Sequence, residues 1–274
     1  MAGDDDEIRE LATALRAHAA WETELSGSGW PVVAAPVSGR RGAVDALIAA
    51  VTADDIAPKA AASVAAVRPV APIAPVTPAQ GPIVVPTGER AVVLAALAEQ
   101  ASDCTRCARH ASRTRGVFAR GNPDATLVFV GEGPSADDDR AGEPFAGPAG
   151  ELLDKMIGAM GFARDAVYLC QVMKCRSATA RSASPAEAAA CEPFYVAQLE
   201  ALRPKVIVAL GRGAAEALGG ATTERGDWRG IWSAWRGVPL IATHAPAEVL
   251  RSAELKRPVW SDLQAVMAKL GVSR

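Results

Sequence analysis

Four short apolar runs, separated by helical patterns, constrain the fold more than any other feature of this sequence. The runs cover residues 126–131, 167–174, 205–211 and 238–244, and the first reads Thr-Leu-Val-Phe-Val-Gly. Strands that are apolar on both faces are typical of a parallel sheet covered on each side by helices. We therefore predict a three-layer α/β/α fold with a central, mainly parallel, four-stranded sheet.

Helical periodicity fills the intervals between these strands. Residues 91–101 and 150–160 form predicted helices, another begins at Gly213, and the last covers residues 258–270. Ser184-Pro185-Ala186-Glu187 is a capping box with proline at the first helical position, and it predicts a helix that ends near residue 202. Ligands of such sheets bind beyond the carboxyl ends of the strands, so the loops after the strands are the predicted site.

The N-terminal third differs in composition from the rest of the chain. Residues 1–25 contain a predicted short helix, and residues 26–88 form an Ala/Pro-rich segment that we expect to be a disordered linker. Nine prolines precede residue 90, and each removes a backbone donor and fixes φ. The predicted folded domain therefore covers residues 89–274.

Net charge and hydropathy give only a weak indication of the binding partners of this chain. The net charge is −2, and the C-terminal two thirds carry only a small excess of basic side chains, which is compatible with a nucleic-acid partner without arguing for one. The basic stretch at 106–115, RCARHASRTR, is interpreted as a contact to backbone phosphates rather than a solvated loop. Long apolar stretches and an apolar signal core are lacking, so we expect a cytoplasmic protein without a membrane partner.

The five cysteines all follow residue 100, and four of them form a candidate ligand set. Cys104 and Cys107 follow a predicted helix, Cys175 follows a strand, and Cys191 lies in the first turns of the capped helix. Clustered cysteines in a reducing compartment are more often metal or cluster ligands than disulfides. The spacing leaves zinc, an iron–sulfur cluster and an unmetallated structural pair open. Cys170, inside a strand, is predicted to be a small core residue.

Three motifs, together with the order of the cysteines, resemble family 4 uracil-DNA glycosylases. They are GEGPSADDDRAGEPFAGPAGELLD (131–154), VYLCQVMKCRS (167–177) and THAPAEVLRSAELKRPVWSDL (243–263). The resemblance covers about residues 90–272 and implies a monomeric base-excision repair enzyme. Its reaction would be hydrolysis of the bond between uracil and deoxyribose, in single- or double-stranded DNA, after the base has left the stack. The resemblance also implies a structural 4Fe–4S cluster held by Cys104, Cys107, Cys175 and Cys191.

The resemblance assigns roles to individual residues. Such catalysis needs donors aimed at the departing base, a polar group near the sugar and an aromatic platform under the ring. Glu132 and Asp138 are the implied catalytic carboxylates, with Asp138 near the sugar. The turn at Gly133, Pro134 and Ser135 is expected to direct backbone amides at the uracil oxygens, and Phe145 is expected to stack on the base. The implied DNA contacts are an apolar wedge and a phosphate ligand, Leu250 and Arg251.

Three departures from the family pattern fall on the residues closest to the base. Ser135 replaces a glycine, and its β-carbon is expected to crowd the backbone approach to uracil or change the turn. Gln171 replaces the asparagine that reads the uracil edge, with the same groups one methylene further out. Ala245 takes the position of the histidine that stabilises charge on the departing uracil, whereas His244 takes that of a tyrosine.

The placement of His244 therefore bears on function. A slip of one residue at a strand end turns a side chain to the opposite face, so we expect His244 to miss the pocket unless a bulge restores it. The first prediction is an active uracil-DNA glycosylase with His244 among its catalytic residues. The alternatives are a catalytically impaired DNA-binding homologue on the same scaffold, and a glycosylase for a different damaged base.

Overall fold

The computed structural model describes residues 81–177, 179, 182–222 and 226–272. The helix predicted within residues 1–25 and nearly all of the linker predicted at 26–88 lie outside the described residues. Residues 81–89 form neither helix nor strand. Within them, the Val84 N–H donates to Gln100 Oε1 at 2.8 Å and the Val84 carbonyl accepts from Gln100 Nε2 at 2.7 Å, so this segment is tied to the first helix.

One mixed sheet of six strands forms the centre of the described domain, in the order β1-β3-β2-β4-β6-β5. The strands are β1 (Ala119–Gly121), β2 (Leu127–Gly131), β3 (Tyr168–Gln171), β4 (Val206–Leu210), β5 (Trp232–Trp235) and β6 (Val238–Thr243). The inner four are parallel, as predicted, and the fold class is confirmed. The short strands β1 and β5 add antiparallel edges that the apolar pattern did not indicate.

Helices cover both faces of the sheet. They are α1 (Arg90–Ser102), α2 (Ala136–Ala141), α3 (Gly147–Ala159), α4 (Pro185–Leu202), α5 (Arg212–Ala217), α6 (Pro246–Arg251) and α7 (Lys256–Leu270). Successive strand residues point to opposite faces. Phe129 and Val208 therefore pack with α3 and α7 on one side, and Val130 and Ala209 with α4 and α5 on the other. No helix in the described part of the chain is both long and apolar enough to cross a membrane.

The register of the parallel strands brings their carboxyl ends to one edge. Gly131 is paired with Gln171 on one side and with Leu210 on the other, and Leu210 is paired with Thr243. The loops after β2, β3, β4 and β6 consequently meet at that edge, which is where a ligand of such a sheet is expected.

Candidate active site

A pocket of about 300 Å³ opens at this edge of the sheet. Its buried floor consists of Gly131, Asp138, Gln171, Leu210, Gly211 and Pro246. Its exposed rim includes Glu132, Ser135, Arg212, Ala247 and Arg251. The structure thus brings the three sequence motifs together around one cavity.

Asp138 is buried and holds three neighbouring segments. It begins α2 as part of a capping box: the Ser135 N–H donates to Asp138 Oδ2 at 2.9 Å, and Ser135 Oγ accepts from the Asp138 N–H at 3.1 Å. The Ala146 N–H donates to Oδ1 at 2.7 Å, and Gln171 Nε2 donates to Oδ2 at 3.0 Å. Both carboxylate oxygens are therefore engaged by the protein, which suits a positioning role.

The contact with Asp138 fixes the orientation of the Gln171 amide. A carboxylate accepts hydrogen bonds only, so the amide nitrogen must face Asp138 and Oε1 must face away from it. Gln171 is 3% exposed, and its Oε1 has no hydrogen-bond partner within the described residues. A buried acceptor without a donor costs about 1–3 kcal/mol, which a donor on a bound ligand would recover.

Phe145 lies beside this amide in a strained conformation. Its φ is +58°, a region that costs an L-residue about 1–2 kcal/mol. The ring packs on Gly131, where an added β-carbon would come within 2.8 Å of Phe145 Cζ and 3.3 Å of Gln171 Cγ. The Phe145 carbonyl packs on Gly150 so closely that no side chain fits there. Glycines on two elements thus hold the ring against the pocket floor.

Glu132 and the turn that follows form one side of the pocket. The Glu132 side chain lies over Gly213, where an added β-carbon would overlap its carboxylate. Ser135 has an extended backbone with φ −76°, so the loss of a glycine does not strain the turn. Its N–H is engaged by Asp138 and is not directed at a base, contrary to our expectation for this amide. Pro134 lines the neighbouring cavity rather than this one.

The structure does not bring His244 into the pocket. β6 pairs with β4 in unbroken register to its end, so no bulge turns the side chain back. The His244 ring packs edge-on against Trp228, with centroids 5.4 Å apart, and Nδ1 lies 3.5 Å from Glu248 Oε2. Ala245 lines the pocket instead. The site therefore presents a methyl group where the resemblance implies an imidazole.

Two charged residues of the pocket lining were absent from the predicted site. Arg212, the first residue of α5, stands at the rim and pairs with Glu216 at 2.9 Å. Glu248 accepts the Ala245 N–H at 2.8 Å and caps α6. Arg212 follows the carboxyl end of β4, where ligands of such sheets bind, so its position could have been predicted. Glu248 lies three residues after Ala245, which is the spacing of a helix-capping acid.

The two predicted DNA-contact residues flank the pocket differently. Arg251 is exposed at the rim, and among the described residues no hydrogen-bond or ion-pair partner engages it. Leu250 is partly buried against the apolar core and does not line the cavity.

The four predicted ligand cysteines lie near enough to influence one another's pKa, and none forms a disulfide. Burial raises the pKa of Cys191 to about 12, with further increases from the nearby thiols of Cys175 and Cys107. Burial also raises the pKa of Cys175, to which Cys107 and Cys104 contribute. Among the described residues, no group of three or more His, Cys, Asp or Glu side chains is arranged to hold a single metal ion.

Hydrogen-bond donors are directed at these sulfurs, and Arg106 Nη1 lies 4.0 Å from Cys104 Sγ. Arg113 Nη1 lies 3.0 Å from Cys175 Sγ, and the Lys174 N–H donates to Cys191 Sγ at 3.3 Å. Convergent thiols with N–H donors on sulfur are the ligand chemistry of an iron–sulfur cluster, so the residues present fit that group. Cys170 is fully buried in β3, which confirms its prediction as a core residue.

Three arginines of the basic stretch at 106–115 are engaged by other parts of the protein. Arg109 is buried and pairs with Glu187 at 3.4 Å. Arg113 donates to the Cys104 carbonyl at 2.8 Å as well as to Cys175, and Arg106 lies over the Phe194 ring. The phosphate interpretation of these three side chains is therefore wrong.

Lys174 connects the cysteine site to the base pocket. Its ammonium is fully buried and donates to the Gln171 carbonyl at 2.6 Å and to Gln198 Oε1 at 2.7 Å, while its main chain contacts Cys191. Burial lowers the pKa of Lys174. One residue therefore contacts both a predicted ligand cysteine and the strand end that carries Gln171.

Comparison with known proteins agrees with this geometry. A family model described as "Uracil DNA glycosylase superfamily" matches residues 118–264. The type-4 uracil-DNA glycosylase of Thermotoga maritima is 41% identical over 181 residues, which cover 61% of this chain and 90% of that protein. Those of Archaeoglobus fulgidus and Pyrobaculum aerophilum are 37% and 34% identical and cover 60% and 61% of this chain and 86% and 89% of their own lengths. This chain therefore belongs to the uracil-DNA glycosylase superfamily, and its resemblance to family 4 is confirmed.

Proposed function

We propose that this chain is a DNA glycosylase that hydrolyses the N-glycosidic bond of uracil in DNA, as in base-excision repair. The observation that supports it most is the fixed amide of Gln171 at the pocket floor. Its free Oε1 accepts the N3–H of uracil. Cytosine carries a lone pair at that nitrogen, so it would leave two buried acceptors facing each other.

The steps of the reaction follow from the arrangement of the remaining residues. The base leaves the stack, enters the pocket and stacks on Phe145, while Leu250 fills the duplex and Arg251 contacts a phosphate. The bond breaks dissociatively, and positive charge grows on the sugar. The carboxylate of Glu132 at the rim stabilises that charge and orients the attacking water, and Asp138 keeps Gln171 and the Phe145 loop in place.

The pocket offers few hydrogen-bond donors to stabilise the negative charge that develops on the departing uracil. Ala245 supplies no donor, His244 is turned away, and the Ser135 N–H is engaged by Asp138. Losing one preorganised donor costs roughly 10²–10³ in rate. We therefore infer a slow glycosylase. The same observation supports the second candidate, a DNA-binding homologue that still recognises the base but no longer cleaves the glycosidic bond.

A 4Fe–4S cluster is the proposed cofactor. Cys104, Cys107, Cys175 and Cys191 would hold it, and when bound it would cross-link the segment after α1, the end of β3 and helix α4. Its role is structural, because the base pocket is lined by none of these cysteines. The proposed setting is a cytoplasmic monomer acting on single- or double-stranded DNA.

A single-turnover assay tests the proposal. Oligonucleotides that contain one uracil, hypoxanthine or cytosine, single- or double-stranded, are incubated with excess protein, and abasic sites are revealed by alkali. We expect slow release of uracil, no release of cytosine, and loss of activity in Glu132→Gln. Uracil binding without cleavage would favour the DNA-binding homologue, and preferential cleavage of hypoxanthine would favour a different damaged base.

A further inference from the structure

A second pocket of about 300 Å³ adjoins the base pocket. The two cavities share the wall formed by residues 132, 133 and 135. Arg176 and the buried Ser177, which follow the last β3 residues, form the opposite side of the second cavity. A strand whose base enters the first pocket would therefore pass its backbone close to the second.

Arg176 is a partly buried cation with no counter-ion in the part of the chain that the structure describes. Among the described residues it has neither a hydrogen bond nor an ion pair. The other guanidinium of this cavity, Arg109, is balanced by Glu187. The carboxylate of Glu132 lies over Gly213, which lines only the base pocket. Apart from Glu132, whose carboxylate is directed at Gly213 on the side of the base pocket, the described residues that line the second cavity carry no negative charge.

We propose that the second pocket binds a phosphodiester of the target strand next to the flipped nucleotide, with Arg176 as its ligand. This inference rests on the proposed function, because it requires a DNA strand with a base in the first pocket. A guanidinium donates two parallel hydrogen bonds to a phosphate. The neighbouring Ser177 hydroxyl, which lies 3.3 Å from the Thr179 hydroxyl, adds a donor when it accepts from Thr179. Such contacts set the register of the strand without reading its sequence.

Equilibrium binding of an uncleavable oligonucleotide that contains 2′-fluoro-deoxyuridine tests the inference. Arg176→Gln is compared with the wild type, and with Arg203→Gln, which removes an exposed arginine at the C-terminal end of α4. We expect Arg176→Gln to weaken binding about tenfold and to lower the slope of log K against log salt by about one. Arg203→Gln leaves both unchanged, and Arg176→Lys keeps the slope. Iron content and circular dichroism confirm that the variants fold.

A neutral methylphosphonate, placed in turn at each phosphate near the lesion, identifies the contact. At one position it weakens the wild type by the same factor as Arg176→Gln and leaves that variant unaffected. Inorganic phosphate is added as a competitor and compared with another salt at the same ionic strength. If the two weaken DNA binding equally, a site for free phosphate is excluded. Equal affinity and slope in Arg176→Gln and Arg203→Gln, with intact cleavage, would overturn this inference alone. A wild type that binds no DNA would overturn the proposed function with it.

Discussion

Asp138 Oδ2 lies 3.0 Å from Gln171 Nε2, and this hydrogen bond decides which half of the glutamine amide faces the base pocket. The amide Oε1 is left as an acceptor on a buried floor, so the pocket selects for a ring N–H. Asp138, which the family resemblance places near the sugar, thus fixes in this chain the amide that is proposed to read the base.

Replacing Asp138 with asparagine should weaken the preference of the pocket for a base with a ring N–H. An asparagine can present either a donor or an acceptor, so the Gln171 amide is free to turn and offer Nε2 to the base. We expect single-turnover release of uracil to fall by roughly tenfold to a hundredfold, with weaker discrimination against cytosine, since one well-placed hydrogen bond is worth about 1–3 kcal/mol. Asp137→Asn, which alters the exposed neighbouring carboxylate, is the control. Unchanged discrimination in Asp138→Asn would contradict the assignment.

Ala245→His should raise the cleavage rate. The residue already lines the pocket, so an imidazole there can meet the charge that develops on uracil, and a preorganised donor is worth roughly 10²–10³ in rate. His244→Gln should leave the rate within about twofold of the wild type, because that side chain packs on Trp228 outside the cavity. Both rates come from one single-turnover series with the same oligonucleotide. A large loss in His244→Gln would show that the histidine reaches the base after all.

Phe145→Leu and Phe145→Gly separate stacking from backbone strain. Either change removes the aromatic face, and base stacking is worth about 1–3 kcal/mol, so uracil release should fall by about fivefold to more than a hundredfold. Only glycine relieves the positive φ, so Phe145→Gly should offset part of the stability lost with the ring. Thermal unfolding of the two variants measures the difference. Retained activity in Phe145→Leu would remove the stacking role.

The spacing of apolar residues and the alternation of side chains along strands made much of this fold predictable from the sequence. Continuous apolar runs identified β2, β3, β4 and β6, and alternation along β6 was sufficient to expect His244 to turn away. The edge strands escaped notice because β1 has three residues and β5 shows one buried side chain, which leaves almost no pattern to detect.

Roles set by distant partners could not be predicted in the same way. Asp138 meets Gln171 across 33 residues of sequence, and Arg113 meets Cys175 across 62. A charge run such as that around Arg113 has the same composition whether it faces phosphates or thiols, so only the tertiary contacts distinguish the two roles.

Arg113 should control how well the cysteine site retains iron. Its guanidinium joins the Cys104 carbonyl to the Cys175 sulfur, and it therefore positions two of the four proposed ligands. We expect Arg113→Gln to lose iron and visible absorbance faster than the wild type under air or chelator, with a changed reduction potential because a hydrogen bond to sulfur is removed. Arg115→Gln, from the same segment, serves as the matched variant because the exposed Arg115 guanidinium donates to the Ala141 carbonyl rather than to a cysteine. If the two variants lose iron and visible absorbance at the same rate, Arg113 has no specific role in holding the cluster ligands.

Thiol reactivity gives an independent measure of the same site. Cys170 is fully buried, and burial raises its pKa to about 11, so at about pH 8 only about one molecule in a thousand carries the thiolate. In iron-free folded protein, iodoacetamide should therefore label the half-exposed Cys104 and Cys107 and spare Cys170, as read by peptide mass spectrometry. In protein that carries the cluster, Cys104 and Cys107 should be protected as well, because their sulfurs are ligands. Unfolded chain, in which all five cysteines react, is the reference for complete labelling. Equal labelling of Cys104 and Cys107 with and without iron would exclude them as ligands, and labelling of Cys170 in the folded state would contradict its place in the core.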